Sequence, residues 1–240
     1  MGLLALHGIT VVRGAANSKR TKVESSFYLR PARAVANGLT LQIVPRSTHR
    51  NPPPSSRKVP AAWRKEVDRV LIREEEIGKR VRTLAFQIAR DYRGKDLVLV
   101  ALLNGTVMFL ADLIRHLQIP LRLDFIGVSS YGTGTESGEL VFTKELRLDV
   151  KGRDVLLVDD ILDTGKTLKR VSSTVRSLKP RSVKICVFLN KAARRIENVT
   201  PDYFGFDIPD EFVVGYGLDF AERYRNLPFV GVLKEAIYQK

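Results

Sequence analysis

Three stretches of this chain are apolar almost without interruption: DLVLVALL, DVLLV and SVKICVFLN. Runs of that length and character suit strands buried on both faces of a sheet. Helix-patterned segments alternate with them. In REEEIGKRVRTLAFQIARDY, Ile77, Val81, Leu84, Ala85 and Ile88 recur at helical spacing, with acids in the first turn. MFLADLIRHL and LKRVSSTVRSLK read as further helices, LRLDFIGVSS and ELVFTKEL as further strands. Strands alternating with helices predict an α/β fold, a parallel sheet covered on both faces. No internal repeat interrupts that order.

A length of 240 residues with 44% hydrophobic content supports one sizeable core plus an appendage. No apolar run approaches the roughly 20 residues of a membrane helix, so a soluble chain is expected. The single cysteine, Cys186, sits in a strand-like run and has no partner for an internal disulfide. That fits a reducing compartment and a cytoplasmic location. No Cys/His cluster suggests zinc. The net charge of +14 is uneven: Met1 to Ala62 holds ten Lys/Arg and one acid, Glu24. The excess therefore argues little for nucleic acid as a partner of the remainder. Residues 1–62 show no sustained period and end in RNPPPSSRKVP, a linker-like run. Three readings stay open for them: an organelle-targeting segment, a disordered extension, or a mispredicted start codon. Residues 63–240 form the predicted folded domain.

VLLVDDILDTGKTL, Val155 to Leu168, concentrates the chemistry. Its strand is expected to end at Val158 and a helix to start near Thr167. In open α/β sheets that junction is where ligands bind. Free N–H groups around Thr164 to Thr167 and the helix dipole favour an anion. A nucleotide-binding P-loop is excluded, because Asp160 stands where that motif needs glycine. The acids suit a cis-diol, since an ionised carboxylate only accepts and sugar hydroxyls donate. A ribose carrying a 5-phosphate satisfies both halves. The bland alternative is an ordinary strand–loop–helix with solvated acids.

Asp-Asp, two residues, then Asp-Thr-Gly resembles the phosphoribosyl-pyrophosphate (PRPP) signature of the type I phosphoribosyltransferases. LLNGTVMFLADLIR, VSSYGTGTESGEL, LNKAARR and the segment from Pro201 to Lys234 resemble the hypoxanthine-guanine branch, in its usual order. The resemblance runs from about Val70 to Glu235. It implies a parallel-sheet fold with flanking helices, a flexible lid loop and a small hood. It further implies a Mg²⁺-dependent salvage reaction making IMP or GMP, and a homodimer or homotetramer.

The resemblance also assigns roles. Asp159 and Asp160 take the ribose hydroxyls and the metal. Thr164, Gly165, Lys166 and Thr167 hold the 5-phosphate, although Lys166 could equally be a solvated helix-start lysine. Asp163, also in the PRPP loop, is the base at purine N7, or else a turn cap. Relatives specific for adenine carry alanine there, so an acid favours a 6-oxopurine. Lys191 donates to the purine O6; the alternative is a surface lysine in a basic run. Phe212 stacks on the purine and Val213 reads its edge, or Phe212 is a core aromatic. Asp219 serves the purine site and Mg²⁺, or caps a turn with Glu222. Arg225 contacts pyrophosphate, or lies on a helix surface. Asn104 and Gly105 form the pyrophosphate loop, where the family often has lysine in place of Asn104. Ser130 and Tyr131 belong to the lid, for which an ordinary exposed hairpin is the alternative. A regulator that keeps this fold but binds nucleic acid is the rival reading; acceptance of xanthine stays open.

Overall fold

The computed structural model describes Leu4–Leu6, Ile9–Val11, Val35–Ala36, Leu39–Thr40 and residues 58–130 and 140–239. The chain divides into two units, Met1–Arg50 and Asn51–Lys240. In the first, β1 (Leu4–Leu6) pairs antiparallel with β2 (Ile9–Val11), and β3 (Val35–Ala36) with β4 (Leu39–Thr40). Sequence reading found no regular structure there. Pairs of two or three residues fall below the length at which a strand leaves a readable pattern.

The second unit is built on six strands: β6 (Leu97–Leu103), β7 (Leu121–Ser130), β8 (Leu140–Lys144), β9 (Asp154–Leu162), β10 (Ser182–Asn190) and β11 (Tyr203–Asp207). Their order across the sheet is β11-β10-β9-β6-β7-β8. All neighbours are parallel except β8, which runs antiparallel to β7. Alternate residues of the apolar runs serve opposite faces. Leu97, Leu99, Ala101, Leu156 and Val158 pack with α1 (Glu74–Asp91) and α2 (Val107–His116). Val98, Val100, Leu102, Val155 and Leu157 pack with α3 (Lys166–Ser177). Cys186 is buried in β10, as its surroundings predict, and burial pushes its thiol pKa up.

A smaller antiparallel sheet forms the hood: β5 (Val67–Ile72), β12 (Val213–Val214) and β13 (Val230–Leu233), in the order β12-β13-β5. It closes over Val59, Tyr224, Leu227 and Phe229, with Trp63 and Phe212 alongside. The short helix α4 (Glu235–Tyr238) follows.

Two local expectations change, and a third falls largely outside the described residues. Strand β9 does not stop at Val158. Its pairing with β6 ends there, but its pairing with β10 continues through Asp159 and Ile161 to Leu162. No helix carries Asp219 or Arg225; Ala221, Glu222 and Tyr224 have φ of 51°, 60° and 77°, which a right-handed helix cannot use. Of the expected lid, Ser130 ends β7, while Tyr131 and the rest through Glu139 lie outside the described residues.

Candidate active site

The chain winds outward from β6 to β7 and β8, then returns to start again at β9 and proceeds to β10 and β11. The winding direction therefore reverses between β6 and β9. Ligands of such sheets bind in the crevice beyond the strand ends at that reversal. Here a cavity of about 230 Å³ lies there, lined by Leu102, Leu103, Asp159, Asp160, Asp163 and Thr164, among others.

The loop after β6 shapes one wall. The Leu103–Asn104 peptide bond is cis. A side chain at Gly105 would meet Asp160 Oδ2 at 1.7 Å, so only glycine lets the carboxylate lie against this backbone. Gly217 stands behind it: its φ is +101°, and a Cβ there would sit 2.0 Å from Gly105 O. Two glycines thus let the carboxylate, the loop and the 215–218 turn stack in close contact.

Asp159 and Asp160 form the acidic end of β9. Asp159 is 9% exposed and accepts from Thr106 Oγ1 at 3.2 Å and from the Asp160 N–H at 3.0 Å. Asp160 accepts from the Ile161 N–H at 2.8 Å. Burial, then the neighbouring Asp160 charge, holds the Asp159 pKa well above the carboxylate range. Burial also raises Asp160, against the pull of Arg225. Two hard oxygen donors short of positive charge form a site that a divalent cation or a diol would relieve.

Beyond the pair, Gly165 adopts φ 87° and α3 begins at Lys166. The Lys166 N–H points to Thr164 Oγ1 at 3.5 Å. Thr164, Gly165 and Thr167 border the same cavity as the acids. Asp163 Oδ1 is buried and accepts no hydrogen bond, while Oδ2 lies 3.8 Å from Arg194 Nη1. A buried carboxylate oxygen left without a donor is costly unless a ligand supplies one.

Lys191 is 5% exposed, so it is not a surface lysine. Its ammonium donates to Glu211 O at 3.1 Å and pairs with Asp210 Oδ1 at 2.8 Å, while its N–H donates to Leu162 O at 3.0 Å. Phe212 stacks on Tyr238, with centroids 4.6 Å apart, and meets Phe220 edge-on. Val213 lies in β12, paired with Val232. Asp219 pairs with Arg225 Nη1 at 2.9 Å and accepts from the Glu222 N–H at 3.0 Å, the cap that the sequence spacing suggests. Arg225 also donates to Gly217 O at 2.9 Å, tying Asp219 to the glycine wall.

Asp159, Asp160, Asp163, Thr164, Gly165 and Thr167 therefore share one cavity, with Gly105 against it. Lys191, Asp219 and Arg225 join it through neighbouring contacts. Among the described residues no three acidic, His or Cys side chains converge as a ready-made metal cage. Sequence reasoning missed Thr106, Gly217 and Arg195. Thr106 gave a weak signal, a hydroxyl just after a buried strand; the other two gave none, since only folding brings them to the loops they contact.

Comparisons with known proteins place the fold in a family. The family model described as the phosphoribosyl transferase domain matches residues 71–221. The hypoxanthine-guanine phosphoribosyltransferase of Bacillus subtilis is 45% identical over 175 residues, 72% of this chain and 97% of that protein. A hypoxanthine phosphoribosyltransferase structure from Staphylococcus aureus superposes with a TM-score of 0.72 at 43% identity, covering 76% of this chain and all of the other. A Trypanosoma cruzi hypoxanthine phosphoribosyltransferase, solved as a mutant in a ternary substrates complex, gives 0.68 at 39% identity, covering 72% and 98% of the two chains. The chain belongs to the phosphoribosyl transferase family, on its hypoxanthine-guanine branch.

Proposed function

We propose that this chain transfers the 5-phosphoribosyl group of PRPP to N9 of hypoxanthine or guanine, giving IMP or GMP and pyrophosphate. The observation that carries this reading is the buried Asp159–Asp160 pair, sharing one cavity with the Thr164–Thr167 loop at the winding reversal. Acceptors for a diol and donors for a phosphate lie side by side there, as a phosphorylated ribose requires.

In the reaction the bond from C1 of the ribose to pyrophosphate breaks and the bond to purine N9 forms. Asp159 and Asp160 accept from the ribose hydroxyls and fix the sugar. Main-chain N–H groups at Asn104 and Gly105, with Arg225, face the departing pyrophosphate. Asp163 takes up the N7 proton as the N9–C1 bond forms, which sharpens N9 as a nucleophile and leaves the product purine neutral. Lys191 donates to the purine O6, and a lysine cannot accept from the adenine amino group. Phe212 and Val213 flank the ring. Asp159, Asp160 and Asp219 would each offer a carboxylate to Mg²⁺, whose other ligands would be substrate oxygens and waters, and which would neutralise pyrophosphate charge when bound. Ser130 and Tyr131 belong to a lid that shields the sugar from water. The active chain is a soluble cytoplasmic domain of residues 63–240, acting as a homodimer or homotetramer, with residues 1–62 accessory.

The test is pyrophosphate release from PRPP and Mg²⁺ with hypoxanthine, guanine, xanthine and adenine, for the wild type and for Lys191→Gln. The wild type should use the first two and reject adenine. Glutamine replaces a charged donor by a shorter, neutral one and weakens the bond to O6 by about 1–2 kcal/mol, so KM for both 6-oxopurines should rise roughly tenfold. The PRPP KM should stay nearly unchanged. Wild-type turnover of adenine, or an unaltered guanine KM in Lys191→Gln, would remove Lys191 from base recognition.

A further inference from the structure

The loop proposed to hold the ribose phosphate and the base exposes three consecutive carbonyls, and one neighbouring segment occupies all three. The Lys191 N–H and Arg195 Nη2 both donate to Leu162 O, each at 3.0 Å. Arg195 Nε donates to Asp163 O at 2.9 Å. The N–H groups of Ile196 and Glu197 donate to Thr164 O at 2.9 and 3.0 Å. The same guanidinium reaches Val199 O at 2.6 Å and Asn190 Oδ1 at 2.8 Å. Its four acceptors are three main-chain carbonyls and one amide oxygen. The stem packs under the loop as well, since a Cβ on Gly165 would lie 3.2 Å from Arg195 Cδ.

An arginine whose hydrogen bonds all go to neutral acceptors acts as a brace, and its charge also attracts the Asp163 carboxylate without a hydrogen bond to it. Its planar fork spans Leu162 O, Asp163 O and Asn190 Oδ1 at once, which a lysine ammonium cannot do. It joins the end of β9 to the end of β10, and so the loop bearing Asp163 to the loop bearing Lys191. Among the described residues the two oxygens of Asp163 are loosely held: Oδ1 accepts no hydrogen bond, and Oδ2 lies 3.8 Å from Arg194 Nη1. The carboxylate's aim is therefore set by its backbone, and Arg195 grips that backbone.

We infer that Arg195 is a positioning residue that fixes the direction of the Asp163 carboxylate towards the acceptor base. This rests on the reading of Asp163 as the group that takes the purine proton. A misplacement of about 1 Å in a reacting group lowers rate by roughly 10². A brace that acts through Asp163 becomes irrelevant once Asp163 has lost its proton-accepting ability.

The experiment is a double-mutant cycle at saturating PRPP and guanine, using Arg195→Lys, Asp163→Asn and both together. Arg195→Lys should lower kcat roughly tenfold or more, with the PRPP KM changed only a few-fold. Asp163→Asn should lower kcat by roughly 10²–10⁴. The double variant should be no slower than Asp163→Asn alone. Multiplying losses would overturn the inference while leaving Asp163 in place, and so would wild-type kcat in Arg195→Lys. Wild-type kcat in Asp163→Asn would sink the reading of Asp163, and the inference with it. Should Arg195→Lys fail to fold, Arg195→Gln takes its place in the same cycle, because its amide still donates to one carbonyl.

Discussion

Asp159 stands where binding and stability conflict. Its pKa and that of Asp160 are raised, by burial first. A raised carboxyl stabilises the fold fully below its ordinary value of 3.8, and that contribution is lost as pH rises through the folded value. At neutral pH the pair is therefore a liability in the ligand-free chain. Asp159→Asn keeps an oxygen for Thr106 and for the Asp160 N–H but removes one charge. Its Tm should rise by a few degrees at pH 7.5, at about 2–4 °C for each kcal/mol in a chain of this size. The gain should vanish as pH falls towards 4, and PRPP should bind roughly tenfold or more weakly for want of a charged acceptor. Thermal melts across pH with PRPP titrations would check this; a lower Tm at pH 7.5 would contradict it. The residue types at this site were legible because carboxylates after an apolar run have few structural uses. Arg195 was not, since its acceptors are carbonyls of residues far away in sequence.

Element boundaries followed the apolar runs closely where strands are long and helices amphipathic, as in β6, β10, α1 and α3. They failed where only tertiary pairing decides. Strand β9 outlasts its apolar run because β10 goes on supplying partners to Leu162. The hood strands β12 and β13, two and four residues long, carry no period to read. The β7–β8 hairpin depends on a group that sequence did not single out. Asp124 of β7, 6% exposed, accepts from the N–H groups of Phe125, Arg147 and Leu148 and from the Lys144 ammonium. Burial raises its pKa, but those donors outweigh it and hold the group below its ordinary value of 3.8. A depressed carboxyl stabilises fully above that value and ceases to as pH falls through the folded one. Asp124→Asn turns an amide donor towards one pair of N–H groups and should cost about 1–3 kcal/mol. The Tm gap to the wild type should be constant above about pH 5 and should narrow below 3.8. A gap that widens in acid would refute the sign.

For the whole molecule, the basic excess and the folded domain separate. Most of the net charge of +14 precedes Trp63, while no helix among the described residues is long and apolar enough to cross a membrane. Val59 is 8% exposed within the hood cluster, and its carbonyl accepts from Arg64 Nε at 3.0 Å. A chain starting at Lys58 should therefore match the full chain in Tm and activity, and should be retained less strongly on a polyanion column. A chain starting at Trp63 should remain active yet melt a few degrees lower, since a buried valine is worth roughly 1.5–3 kcal/mol. Equal melting of the two truncated chains would show that Val59 contributes nothing. The crevice itself has a longer consequence. Because the sheet changes winding direction between β6 and β9, its two walls hang from separate arms of the chain. The main-chain grip proposed for the leaving diphosphate, at Asn104 and Gly105, lies on the arm from β6 towards β8; the arm from β9 through β10 to the hood is proposed to choose the nucleobase at Lys191, Phe212 and Val213, and reaches the diphosphate past that stretch, at Arg225. Substitutions at 190–213 can therefore alter which base is accepted while the diphosphate grip stays as it was, so a lineage on this scaffold can exchange its nucleobase without rebuilding its departure gate.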